Sequence, residues 1–229
     1  MDLGSLVEGA LLERLNRFLA RVQVREEMVL AHVPNSGRLT ELMLPGTAVL
    51  VRPAARTGRR TGYDLVLVDH GGGWTCVDTR LPPGLLAEAI AAGRTQEFPA
   101  NSAVRREVRL GKSRVDLRVS YGEVCCYVET KSVTLVEAGQ ALFPDAPTAR
   151  GTRHLAELEK SVEAGHRAVV AFVVQRPDAV VFSPNVATDP EFSQGLLKAK
   201  ERGVEVACYR CFTAPDQIRI EGALPIRME

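Results

Sequence analysis

The sequence predicts an α/β protein (α+β overall) in which a small all-β unit precedes a mixed central sheet flanked by helices. Three observations carry this. Five short strand-like runs separated by Pro, Gly and Asn turns fill residues 10 to 80, the pattern of an OB-like barrel. Strand, helix, strand, helix and strand alternate from Val124 to Cys211, as in an α/β domain. Between these regions, Ser113 to Ser132 (SRVDLRVSYGEVCCYVETKS) alternates apolar and polar residues around a Tyr121-Gly122 turn and reads as a β-hairpin.

The elements follow in order. Leu12 to Val24 and Met28 to Val33 read as two strands joined near Glu26-Glu27, and Thr47 to Arg52, Tyr63 to Val68 and Trp74 to Val77 supply three more. Leu81 to Ala92 is a helix with Gly93 as its stop, which places a domain boundary near Leu81: residues 1–80 form the barrel and 81–229 the second domain. Strands follow at Val104 to Leu110, Arg114 to Ser120 and Val124 to Lys131. The sparsely charged Val133 to Arg150 reads as a loop over the active face. A helix over Thr148 to Ala164 carries Leu155, Leu158 and Val162 on one stripe. Val169 to Val174 is a buried-type strand, Pro190 to Arg202 a helix ended by Gly203, and Val204 to Cys211 a strand.

Composition narrows the class. The chain has 229 residues, 45% hydrophobic and 25% charged, ordinary for a globular protein with proper cores. The start lacks the basic region and cleavage site of a signal peptide, and the apolar run Ala168 to Val174 is too short to cross a bilayer, so no membrane association and a cytoplasmic location are expected. Five cysteines, an odd number, argue against a disulfide framework, and Cys208 and Cys211 lack a second well-spaced pair for zinc. There is no G-x-S-x-G for serine-hydrolase chemistry, and Gly71-Gly72-Gly73 lacks the Lys-Ser/Thr and the helix of a phosphate loop.

The hairpin bears the chemistry. Its apolar residues match with Val119 opposite Val124, Leu117 opposite Cys126 and Val115 opposite Val128. The other face then carries Asp116 opposite Tyr127, with Glu129 on the diagonal and Lys131 beyond. Asp, twelve residues, then Glu-x-Lys on the next strand is the arrangement of the PD-(D/E)xK nucleases. Mg²⁺ prefers oxygen ligands and is held by one or two carboxylates with waters. Asp116 and Glu129 would be those ligands, Thr130 would add its backbone carbonyl, and Lys131 would orient the water or stabilise the transition state. On the spacing alone the favoured reading is a solvated face of alternating charges, with Arg114 opposite Glu129 and Arg118 beside Asp116.

Long blocks elsewhere bear on that choice: HVPNSGRL from His32, GGGWTCVDT from Gly71, RREVRLGKSRVDL from Arg105, YVETKSVTLVEAGQALFPDAPTARGTRHL from Tyr127 and GHRAVVAFVVQR from Gly165. Through them the chain resembles the sugar fermentation stimulation protein A family across nearly its whole length. The resemblance implies an N-terminal OB-type barrel followed by a PD-(D/E)xK restriction-endonuclease-like domain, with DNA as partner, double- or single-stranded and without sequence preference. Two functions stay open: a Mg²⁺- or Mn²⁺-dependent DNA phosphodiesterase, and a non-catalytic DNA-binding regulator of sugar (maltose) metabolism genes on a nuclease scaffold.

Local charge agrees with phosphate contact. The net charge is only +1, yet Arg52, Arg56, Arg59 and Arg60 cluster without an acid, and Arg105, Arg106, Arg109, Lys112, Arg114 and Arg118 face only Glu107 and Asp116. The nucleic-acid-binding expectation names Arg52, Arg56, Arg59, Arg60, Arg105, Arg114 and Arg150. Glu107 reads either as a further acid at the metal site or as an ion-pair partner of Arg105 or Arg109. Gln175 reads as orienting substrate or water, or as a plain strand end. His32, Asn35 and Arg38 read first as a turn and second as a polar-ligand site. His154 reads as a packing or helix-surface residue, with Arg150 preferred over it and Arg153. A homodimer is compatible with all of this.

Overall fold

The computed structural model describes residues 1–54, 60–111 and 113–228. Arg56, Arg59 and Lys112 lie outside these described residues.

The first unit is a closed barrel. Its strands are β1 (Val7–Asn16), β2 (Leu19–Val24), β3 (Glu27–His32), β4 (Ala48–Pro53) and β5 (Tyr63–Asp69), with β6 (Trp74–Cys76) continuing the sheet beyond β5. Antiparallel pairing runs β3-β2-β1-β4-β5, and a short parallel contact, Ala31 with Tyr63 and His32 with Asp64, closes the ring. The expected single strand Leu12 to Val24 is instead two. The Asn16 side-chain oxygen accepts the Phe18 N–H at 2.9 Å, and this local bond turns the chain without a Gly or Pro to announce it.

Helix α1 (Pro82–Ala91) begins with proline, whose missing N–H costs nothing in a first turn. It ends before Gly93, which takes φ 65. A second sheet then forms from β7 (Ala103–Leu110), β8 (Ser113–Tyr121) and β9 (Val124–Val133). The segment expected as a loop holds a small hairpin, β10 (Leu135–Glu137) and β11 (Gln140–Phe143). Ala138 and Gly139 both take positive φ between them, as a tight primed turn requires. These strands are only three and four residues long, too short for alternation to register in the sequence.

Helix α2 (Ala149–Glu163) is capped by Thr148, whose side chain accepts the Gly151 N–H. Strands β12 (Arg167–Val174) and β13 (Val181–Pro184), helix α3 (Pro190–Glu201), and strands β14 (Glu205–Thr213) and β15 (Ile218–Ala223) complete the chain; β13 and β15 had no counterpart in the sequence reading. The large sheet has the order β15-β14-β12-β9-β8-β7, with β12 parallel to both β9 and β14 and the outer pairs antiparallel. β13 leaves it to pair in parallel with β11.

The two faces of β12 serve different cores. Val170, Phe172 and Val174 pack with α2 and α3. Val169, Ala171 and Val173 pack with α1 and also with Leu50, Val66, Leu67 and Cys76 of the barrel sheet. The five cysteines are free, and all but Cys125 are buried. Burial pushes the Cys76 thiol up to about 12, so it packs as a neutral group. Among the described residues no helix is long and apolar enough to cross a membrane.

Candidate functional site

The site begins where the β8–β9 hairpin opens. Its turn is Gly122-Glu123, with Gly122 at φ 53, and the pairs are Tyr121 with Val124, Val119 with Cys126 and Leu117 with Val128. The expected register is therefore displaced by two residues. A slip of two preserves which face each side chain occupies, so the apolar match could not detect it. Continuing the observed register sets Asp116 level with Glu129 instead of diagonal to it. The ladder does not continue there. Asp116 Oδ2 accepts the Thr130 N–H at 2.8 Å and the Thr130 hydroxyl at 2.6 Å, so a side chain takes over from the backbone partner. The Arg114–Glu129 pair expected for a solvated face is absent, since Arg114 lies 3.5 Å from Glu107 and both are exposed.

Glu129 is only 4% exposed. Its Oε1 receives Lys131 Nζ at 2.8 Å and makes a short contact with His154 Nδ1. Arg150 Nε donates to His154 Nε2 at 3.3 Å, which makes that nitrogen the acceptor and assigns the proton to Nδ1, facing Glu129. The second carboxylate oxygen, Oε2, is buried without a hydrogen-bond partner. Burial pushes Asp116 above the ordinary aspartate range, and repulsion from Glu129 adds to it. Burial acts on Glu129 in the same sense, but the His154 hydrogen bond and the Lys131 ammonium outweigh it and hold this carboxyl low.

A divalent cation fits that arrangement. The orphaned Glu129 oxygen wants a positive partner, and a cation would relieve the repulsion the acid pair imposes on Asp116. Among the described residues no three His, Cys, Asp or Glu side chains form a ready-made cage. One or two carboxylates are nonetheless the usual protein share for Mg²⁺, which keeps several waters.

Around the pair lies a cavity of about 240 Å³ that joins both units. Asn35, Ser36 and Gly37 line its barrel side, Phe143 and Asp145 line another wall, and Arg150 lines it from α2. The Asn35 turn reading holds: its Nδ2 donates to the Val77 carbonyl at 3.1 Å and its Oδ1 accepts the Gly37 N–H at 2.7 Å. The Asp145 carboxylate packs directly on Gly37, and a Cβ there would sit 2.1 Å from its oxygen, so any larger residue would push Asp145 out of this position. His32 keeps its Nδ1 3.1 Å from the Phe18 carbonyl.

The other sequence-derived candidates fall elsewhere. Glu107 stands exposed on edge strand β7 at φ 53, paired with Arg114, so it adds no ligand to the acid pair. Gln175 is fully buried: its amide donates to the Cys76 and Asp78 carbonyls at 3.1 Å and accepts the Ser132 hydroxyl at 2.7 Å. It has no free group for substrate, and reaches the cavity only through Ser132. Arg52 donates to the Leu3 carbonyl at 2.9 Å and so ties down the N-terminal segment. Arg60 and Arg105 are exposed, away from the cavity lining. His154 and Asp145 are the site residues the sequence reading missed. A histidine 25 positions from its carboxylate partner leaves no local signal, although its i,i+4 spacing from Arg150 is the one feature that tied it to a residue already singled out.

Known proteins share this architecture. Two family descriptions match: "SfsA N-terminal OB domain" over residues 12–77 and "Sugar fermentation stimulation protein RE domain" over residues 80–217. The sugar fermentation stimulation protein homolog of Moorella thermoacetica is 43% identical over 226 residues, covering 98% of this chain and 97% of the relative. That of Desulforamulus reducens is 41% identical, covering 99% and 94%. A solved structure of Pyrococcus furiosus SfsA in complex with Ca²⁺ superposes with a TM-score of 0.91 at 32% identity, over 99% of this chain and 98% of the other.

Proposed function

The chain belongs to the sugar fermentation stimulation protein family, and from that premise we propose that it binds DNA and hydrolyses its phosphodiester backbone with Mg²⁺ or Mn²⁺. One observation carries the reading. A buried glutamate, with one oxygen clamped and the other unpartnered, stands beside a desolvated aspartate at a cavity of about 240 Å³.

In this reading Asp116, Glu129 and the Thr130 carbonyl would hold the cation, which when bound would offset charge on the phosphate and lower the cost of ionising a water. His154 fixes the rotamer of Glu129, leaving its second oxygen aimed at the site. Lys131, anchored on the first oxygen, holds a positive charge where the phosphate becomes more negative. Arg150, exposed at the cavity edge, meets the same or the next phosphate. The Pyrococcus furiosus relative was solved with Ca²⁺, another cation that prefers oxygen ligands.

The test is cleavage of plasmid, linear and single-stranded DNA with Mg²⁺ or Mn²⁺, comparing the wild type with Asp116→Ala and Lys131→Ala. Cutting that falls at least about 100-fold in both variants, with DNA binding retained, is the expected result. Tight binding without cutting in either metal overturns the catalytic half and leaves a DNA-binding regulator.

A further inference from the structure

A second hollow, about 650 Å³, adjoins the cavity at the acid pair and shares Ser36, Gly37, Phe143 and Asp145 with it. It runs between the β1–β2 turn of the barrel and the segment 144–148. Arg14, Arg17 and Arg38 line its barrel side, against one acid, Asp145. Arg14 is built into the turn: its guanidinium donates to the Arg17 carbonyl at 2.9 Å, to the Gly37 carbonyl at 2.7 Å and to the Arg38 carbonyl. Its Nε is buried without a partner. Among the described residues no carboxylate lies within ion-pairing distance of this guanidinium; Asp145 and Glu41 act on its charge only from farther off, so three arginines face one acid across the groove.

The next residue on the same turn is Phe18, 48% exposed. Its ring is stacked with His32, centroids 6.5 Å apart and planes 27° apart, and the Phe18 carbonyl accepts the Val33 N–H at 2.9 Å. An exposed Phe alone is unremarkable. Here the backbone fixes it and a second ring supports it, beside a groove lined by arginines that leads to the acid pair. Phosphates along a basic groove and bases on an aromatic platform are the two terms by which barrels of this type hold single strands. A duplex uses only the first, because its bases are already stacked and present edges, not faces.

We propose that the β1–β2 turn and its groove form the binding subsite for an unpaired stretch of DNA, with a base on Phe18 and phosphates on Arg17 and Arg38, leading the strand to Asp116 and Glu129. The substrate would then be single-stranded DNA or a frayed or flapped end. This rests on the DNA reading of the acid site, but its evidence is separate.

The experiment is anisotropy of a labelled 16-nucleotide oligodeoxynucleotide, a length within the range of about 4–16 per such barrel, and of its blunt duplex. EDTA keeps cutting out of the measurement. Phe18→Ala should weaken single-strand binding roughly 5–150-fold, the range of one stacked base, and leave duplex affinity unchanged. Phe18→Tyr should restore it, and Arg17→Ala should lower the salt slope for the single strand by about 0.7. Melting temperatures should not move, since the ring is half exposed. Single-strand binding that survives Phe18→Ala, or equal loss on both substrates, overturns the proposal. Phe18-dependent binding in a wild type that cuts nothing would sink the catalytic reading alone. Asp116-dependent cutting unaffected by Phe18→Ala would sink this one alone.

Discussion

Glu129 and Asp116 are chemically similar acids placed in opposite states by their neighbours. Two cationic or donor groups converge on Glu129 Oε1, whereas the two donors on Asp116 come from Thr130 and do not offset burial and the facing glutamate. The consequence for stability has a sign. Asp116, raised in the folded protein, opposes folding above its folded pKa, and this cost disappears as pH falls through that value. Glu129, held low, contributes stability above the ordinary glutamate range that is lost as pH falls through its folded value. Asp116→Asn should therefore raise the melting temperature near pH 7 by about 2–4 °C, what roughly 1 kcal/mol gives in a chain this size, with the gain vanishing in acid. Added Mg²⁺ should raise the wild-type midpoint and not that of the variant. A calorimetric pH series with and without the metal reads both. A wild type more stable than Asp116→Asn at pH 7 would contradict this account of the site.

At the scale of elements, the β8–β9 hairpin shows what alternation in sequence can and cannot say. Val115, Leu117 and Val119 point inward as their spacing requires, and so do Cys126 and Val128. Their partners depend on the turn, and the expected Tyr121-Gly122 turn and the observed Gly122-Glu123 turn both contain Gly122. The structure uses Gly122 at φ 53 as the first of two turn residues, and a Cβ there would meet nothing within 4 Å. Gly122→Ala should thus cost only backbone strain, about 1 kcal/mol by denaturant titration, and Gly122→Asn less. Helix α2 was equally legible, its expected start at Thr148 falling one residue before the observed one and its Leu155 and Leu158 stripe buried. What its first turns deliver to Glu129 was not, because the β9–α2 approach is set by packing among Leu155, Phe172 and Phe192.

Across the whole molecule, the barrel and the large sheet share a core and a hydrogen-bonded seam. Gln175 is its fastener: the Cys76 N–H donates to the Gln175 carbonyl at 2.9 Å, and the Gln175 amide reaches Cys76, Asp78 and Ser132. Gln175→Ala would strand two buried carbonyls. It should lower stability by about 3 kcal/mol while the transition remains single, with Trp74 fluorescence and far-UV dichroism melting together. Separate transitions for barrel and sheet would show that the shared core does not couple them. By itself the sequence determined the barrel, the alternation of strands and helices after it, and the shared strand face of Asp116, Glu129 and Lys131, because side-chain period and turn residues are local properties. Only the tertiary structure decided that His154 rather than Arg114 meets Glu129, that Glu107 and Gln175 stand apart from the acid pair, and that Arg14 and Phe18 open a groove beside it. Those contacts join residues dozens of positions apart, and the packing of the two units sets them.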